Sequence, residues 1–300
     1  MMRVAFIMPC RNKAAQVRAN GPAFLAQECE KIDVFFSDHC SRDDTVSAIK
    51  DVMGVYTGPH NVRMLHAPKT EWRGMMGYNA HISWLHETLP HDVFIILSAD
   101  DVPHPKMVAK CIQALTETEA EYVATRVRWR DPDGSNTVES GTIGKTRMVT
   151  FEENIDLQIG LQSNPCWTRS LWDRCAPIRG VEQPELILSS MAALRGKLFF
   201  INEILHDAVN YPDPFGVSTE RAIQATDDEK EKLRLHEANM FHYFSSHASL
   251  SRRIQESGVQ LSTSCAVTLV NKLIGISQAW QQTRERMTLE GVEPMNMRVK

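Results

Sequence analysis

A chain of 300 residues can bury a large core and has room for one large domain or two merged ones. Its 43% hydrophobic and 23% charged content is that of an ordinary soluble globular protein, and a net charge of −4 argues against a strongly basic nucleic-acid or membrane-surface binder. No run approaches 18 apolar residues. The opening Met1-Met2-Arg3 runs straight into an apolar strand with no cleavage-site pattern, so no signal peptide is expected. The seven cysteines (Cys10, Cys29, Cys40, Cys111, Cys166, Cys175, Cys265) form no Cys-x-x-Cys pair and no zinc spacing, as expected of reduced thiols in a cytoplasm.

In chain order, Val4 to Pro9 reads as a strand, Gly21 to Lys31 as a helix, Ile32 to Ser37 as a strand and Asp43 to Met53 as a helix. That alternation predicts a parallel sheet covered by helices. A third strand over Val62–Leu65, a helix over Gly77–Leu89, a strand over Val93–Leu97 and a helix over Pro105–Glu117 continue it. The strand Tyr122–Trp129 ends at the turn cluster from Asp131 to Asn136. Further on, Pro184–Arg195 reads as a helix and Leu198–Ile201 as a strand. Beyond Thr226 the chain turns helical: Thr226-Asp-Asp-Glu229 has the form of a capping box, and Leu233, Met240, Phe241, Phe244 and Ala248 keep helical spacing behind it. Val267, Val270, Leu273, Ile274 and Trp280 mark a second amphipathic helix. Both helices are expected to pack on the α/β body or on another copy of the chain.

The most informative stretch is Val93-Phe-Ile-Ile-Leu-Ser-Ala-Asp100-Asp101. An apolar run ending in two carboxylates reads as a buried strand delivering acids to the C-terminal edge of a sheet, where α/β proteins bind ligands. Such acids suit Mg²⁺ or Mn²⁺ arriving with a phosphorylated substrate. The same residues also suit a helix start, since Asp101-Val-Pro103 has the composition of one, and by themselves they leave both readings open.

Two other strand ends add polar residues to this edge: Pro9-Cys10-Arg11-Asn12-Lys13, and Asp38-His39-Cys40-Ser41-Arg42-Asp43-Asp44-Thr45. With Arg73-Gly74 ahead of a helix bearing Asn79, and Asp100-Asp101 followed by Pro103, the set resembles the inverting family 2 glycosyltransferases of the GT-A fold. The resemblance covers roughly residues 3 to 125. It implies a Rossmann-like mixed α/β sheet flanked by helices, with a C-terminal helical extension, and a division into a nucleotide-sugar-binding half (1–125), an acceptor-binding half (126–215) and the extension (216–300).

It also implies roles. Pro9, Arg11, Asn12, Asp38, His39 and Ser41 match the nucleotide pocket, Asp100 the ribose-side acid, Asp101 the metal ligand, and Arg73 the basic residue that approaches the diphosphate. Four departures stand out. Arg11 replaces an aromatic that stacks on the base, His39 the second acid of a pair that reads the base edge, Ser98 the first acid of Asp-x-Asp-Asp, and Tyr78 falls near a customary arginine. The general base in such enzymes is an acid just before a helix in the second half. Glu185 is the candidate, with Glu182 the alternate, although Pro184-Glu185 also suits an ordinary helix N-terminus. Trp167 and Trp172 are expected to wall the acceptor site. Arg126, Arg128 and Arg130 read as a solvated sheet edge, and His206-Asp207 as a loose match to a family position near the diphosphate.

The implied activity is transfer from a nucleoside diphosphate sugar, a UDP-sugar first, to a hydroxyl acceptor with inversion, assisted by Mn²⁺ or Mg²⁺. A glycan or glycolipid acceptor is the default; a hydroxymethylated nucleic-acid base is the alternative, and a catalytically inactive nucleotide- or glycan-binding module a further one. A sugar-1-phosphate nucleotidyltransferase is set aside, because Pro9-Cys10-Arg11-Asn12 lacks the glycine-rich loop that class needs.

Overall fold

The computed structural model describes residues 2–69, 74–139, 144–159, 166–178, 183–211 and 227–293. Its first half is an alternation of strand and helix: β1 (Val4–Cys10), α1 (Ala14–Leu25), β2 (Asp33–Asp38), α2 (Thr45–Gly54), β3 (Asn61–His66), α3 (Gly74–Thr88), β4 (Val93–Ile96), β5 (Asp101–Pro103), α4 (Met107–Thr118) and β6 (Tyr122–Arg130). Then come β7 (Val138–Glu139), β8 (Arg147–Met148), α5 (Phe151–Leu157), β9 (Cys166–Thr168), α6 (Arg169–Cys175), α7 (Pro184–Leu194), β10 (Leu198–Val209), α8 (Glu229–Glu256) and α9 (Thr263–Leu289).

One sheet runs β3-β2-β1-β4-β9-β6-β10-β5, with β7 added to β6 and β8 to β10. The four strands β3, β2, β1 and β4 are parallel, β9 runs antiparallel between β4 and β6, and β5 runs antiparallel beside β10. The expected mixed sheet with helices on both faces is therefore present. Its apolar strands show why: in β1, Ala5 and Ile7 enter one core while Phe6 and Met8 enter the other, so the two-residue alternation of a strand fills both faces with hydrophobes.

Several boundaries differ from expectation. Helix α1 begins at Ala14, seven residues before the expected start at Gly21, and carries Pro22 inside it. The actual N-terminus is capped from outside, since Lys13 N–H donates to Thr45 Oγ1 (2.7 Å) and Ala14 N–H to Asp43 Oδ2 (3.2 Å). Gly21 instead serves the contact between α1 and α2, where a Cβ would stand 3.0 Å from Val52 Cγ1. Strand β10 continues eight residues past Ile201, through register shifts at Ile201/Ile204 and Ile204/His206 that interrupt its alternation. The short β5 and β9 carry no periodic signal.

The extension is a helical hairpin. Leu250 and Ile254 of α8 and Leu269 of α9 join the core beneath α5 and α7, so the pair packs on the α/β body. The cap of α8 is Asp228, whose carboxylate accepts Lys230 N–H at 2.9 Å; Thr226 of the expected capping box lies outside the described residues. Among the described residues, no helix is long and apolar enough to cross a membrane.

Candidate active site

The loops after β1, β2 and β4 meet at the C-terminal edge of the parallel strands and are stitched to one another. Asn12, with φ of 52°, donates its N–H to Ser41 Oγ (2.9 Å), while its side-chain Oδ1 accepts Arg42 N–H (2.8 Å). Asp38 is buried at the end of β2 and its carboxylate accepts Ser41 N–H at 3.3 and 3.4 Å. Pro9 is buried within β1, and Arg11 is exposed at the rim. Asp43 ties the same loop to α1; burial pushes its carboxyl up, but hydrogen bonds from Thr45 and Ala14 prevail and hold it below the ordinary range.

His39 lies buried against His81 of α3, ring centroids 4.9 Å apart, and His81 Nε2 is 2.7 Å from Ser37 Oγ. Burial, and then the nearby Arg11 charge, lower the pKa of His39; burial takes His81 down to about 3. Two adjacent rings that resist protonation form a neutral polar wall, where the family pattern has an acid.

Asp100 and Asp101 diverge. Asp100 is paired with Lys13, whose Nζ lies 3.0 Å from Oδ2 and 3.2 Å from Oδ1. Asp101 is buried in β5 opposite Ala208, with Oδ2 accepting Ser98 N–H at 2.9 Å. Ser98, standing where the family has a further acid, thus orients Asp101 through its backbone N–H. Asn20 of α1 holds the intervening turn by donating Nδ2–H to Ala99 O (2.8 Å).

Glu185 stands in the first turn of α7. As a residue it is partly exposed, yet its carboxyl is enclosed, and desolvation raises its pKa to about 7. Tyr78 of α3 lies in the field of both acids: burial first, then the charges of Glu185 and Asp101, hold its phenol well above its ordinary range. Tyr122 of β6 feels burial and then Glu185 as well. The structure therefore brings Asp101, Tyr78 and Glu185 into one electrostatic neighbourhood. A carboxyl of that pKa is suited to accept a proton near neutral pH.

Two expected acceptor residues are elsewhere. Trp167 is fully buried in β9 and Trp172 is buried in α6. Trp167 donates Nε1–H to His86 Nε2 (2.7 Å), and Trp172 stacks on the same imidazole at 3.7 Å between centroids. His86 in turn donates Nδ1–H to Ile82 O (2.9 Å), and burial keeps it neutral with a pKa of about 3. Both indoles are core residues, because β9 is inserted between β4 and β6 with helices on both sides. Arg73 and Glu182 lie outside the described residues. The arginine strand is less solvated than expected: Arg128 and Arg130 both bond Asp207, and Arg126 pairs with Glu139. His206 is buried on β10 opposite Pro103, and burial lowers its pKa to about 4.

Lys13, Asn20 and His81 were not singled out by the sequence pattern. Lys13 closes the first-strand motif but was given no role there, and only the pairing of β1 with β4 brings it to Asp100.

A mixed sheet whose parallel strands open onto polar loops, with the acids Asp100 and Asp101 at that edge, is the arrangement in which α/β proteins bind their ligands. A protein-family model described as glycosyl transferase family 2 matches residues 5–179, and the chain belongs to that family and is a glycosyltransferase. Its fold is similar to S. aureus TarS residues 1–349 in complex with UDP-GlcNAc, with TM-score 0.54 and 13% identity over 93% of this chain and 81% of that one. It is also similar to the mannosyltransferase PcManGT from Pyrobaculum calidifontis in complex with GDP-Man and Mn²⁺, with TM-score 0.51 and 13% identity over 97% and 84% of the two chains. No curated protein matches the sequence significantly.

Proposed function

We propose that the chain transfers a sugar from a nucleoside diphosphate sugar to a hydroxyl acceptor by direct displacement, inverting the anomeric centre. The observation that carries this reading is Glu185: an enclosed carboxyl with a pKa of about 7, sharing Tyr78 as a neighbour with Asp101. Glu185 takes the acceptor proton as the acceptor oxygen bonds the anomeric carbon. The bond from that carbon to the diphosphate oxygen breaks, and its electron pair leaves on the diphosphate. Residues 1–125 then serve the donor, 126–215 the acceptor, and 216–300 form the helical extension.

The donor set fits a hard divalent ion only in company with substrate. Among the described residues no three His, Cys, Asp or Glu cluster as a metal site, so Asp101, oriented by Ser98 N–H, would hold Mn²⁺ or Mg²⁺ together with diphosphate oxygens. When bound, such an ion neutralises the leaving charge. Lys13 adds a fixed ammonium beside Asp100, and Arg73 is retained as the second basic group.

UDP is the proposed nucleotide, with Arg11 over the base and the neutral His39 at its edge, and Pro9, Asn12, Asp38 and Ser41 framing the pocket. TarS, which is similar in fold, is in complex with UDP-GlcNAc, and this supports the choice of nucleotide. A glycan or glycolipid hydroxyl is the proposed acceptor. The test is donor hydrolysis and transfer with a panel of nucleotide sugars, with and without Mn²⁺. UDP-sugar turnover abolished by Glu185→Gln supports the reading; binding of every nucleotide sugar without any turnover would reduce the protein to a binding module.

A further inference from the structure

Helix α8 touches the chain on both sides of the approach to Glu185. Ser246, fully buried, accepts the backbone N–H of Gln183 at 3.1 Å, and Gln183 is the residue that caps α7 two positions before Glu185. The same hydroxyl donates to His242 O at 2.8 Å, so its orientation is set by its own helix. Two turns further along the same face, the guanidinium of Arg253 donates to the carbonyl oxygens of Cys175, the last residue of α6, and Pro177, just past it. Between these grips Leu250 is fully buried, and Ile254 follows it into the core.

Cys175 and Gln183 are buried, and the Cys175 carbonyl and the Gln183 N–H lie at helix ends, outside the regular ladders, where a buried main-chain group must find a partner; the exposed Pro177 carbonyl gives Arg253 a second anchor. Here the partners come from α8. The hairpin thereby supplies the acceptor that a Glu or Gln at the third helical position would give the Gln183 N–H in a capping box, where this chain has Leu186.

We infer that the C-terminal hairpin is a positioning element of the active site, and that Ser246 and Arg253 are positioning residues that hold Glu185 in its enclosed place. This rests on Glu185 being the base. Among the described residues, the titratable groups facing Glu185 are Tyr78 of α3 and Tyr122 of β6, both neutral at physiological pH, with the Asp101 carboxylate also acting on Tyr78; desolvation is the cause that raises the Glu185 pKa, so its titration reports how far water is kept away. A misplacement of a catalytic group by an ångström costs up to about 10²-fold in rate, so loosening the grip is expected to show in turnover before it shows in binding.

The test uses the full chain. Ser246→Ala should lower kcat about 10-fold or more while leaving the Kd for donor unchanged. The acidic limb of kcat/KM should also move below about 7, towards the ordinary carboxylate range, as water reaches Glu185. Ser246→Thr, which keeps the hydroxyl, should restore both. Arg253→Gln, cutting the other grip, should move the limb the same way, and it decides the matter if Ser246→Ala does not fold. A folded Ser246→Ala with unchanged kcat and limb overturns the positioning role while leaving the base reading intact, provided Glu185→Gln is inactive. An active Glu185→Gln overturns both.

Discussion

The ammonium of Lys13 and the carboxylate of Asp100 meet across the sheet edge with only 8% and 14% of their side chains exposed, closing the loop after β1 onto the turn after β4. Breaking one partner of a withdrawn ion pair costs up to roughly 3–5 kcal/mol, because the remaining charge loses its nearest counter-ion. Lys13→Met should therefore lower the melting temperature by several degrees and weaken nucleotide-sugar binding. Lys13→Met combined with Asp100→Asn should recover much of the stability but none of the affinity. A double variant that binds donor normally would remove Lys13 from the donor site.

Glu185→Gln should retain donor affinity and lose roughly 10²-fold or more in turnover. In the wild type, kcat/KM should fall on acidification with a midpoint near 7, since the base works only when deprotonated. Isothermal titration with donor and a pH–rate profile check the two halves of this expectation. A profile flat down to pH 5 places the base elsewhere.

The same carboxyl carries a stability signature. Its folded pKa of about 7 lies above the ordinary value of 4.5, so between those limits the folded chain binds more protons than the unfolded one. Stability from this group is thus fully present below about 4.5 and is lost as pH rises through about 7. Glu185→Gln should raise the melting temperature at pH 8 and change it little at pH 4.5, a pattern readable by calorimetry. Such a gain on removing a working residue is the usual sign of a site that is strained for function.

His81 should stay neutral across the physiological range, because burial takes its pKa down to about 3, and burial and then Arg11 bias His39 in the same direction. Affinity for a UDP-sugar should therefore change less than turnover as the pH falls from 8 to 6.5. His39→Asp, which introduces the acid of the family pattern, should shift the ranking among uridine, guanosine and cytidine diphosphates. An unaltered ranking would falsify a base-reading role for this position.

Trp167→Phe keeps the ring but removes the donor to His86, leaving a buried imidazole nitrogen without its partner. The expected loss is about 1–3 kcal/mol of stability, measured by denaturant unfolding, with donor and acceptor kinetics unchanged. A selective rise in acceptor KM would return this residue to the acceptor site.

Much of this protein was legible in the order of its residues. Apolar runs such as Val4–Met8 and Val93–Leu97, each ending in polar residues, announce strands buried on both faces that open at a sheet edge. Asp38, Asp100 and Asp101 fall where that reasoning puts them, because the alternation of a strand and the spacing of a helix are local properties. What residues meet across the fold is not local. Whether α1 could begin at Ala14 was decided by Thr45 and Asp43, and whether Trp167 faces substrate or core was decided by the insertion of three-residue β9 between β4 and β6. Lys13 reaches Asp100, and Ser246 reaches Gln183, only once sheet register and helix packing are set. Periodicity specifies which face a residue occupies; its partner on that face depends on the depth and register at which separate elements dock, and that is a property of the packed chain alone.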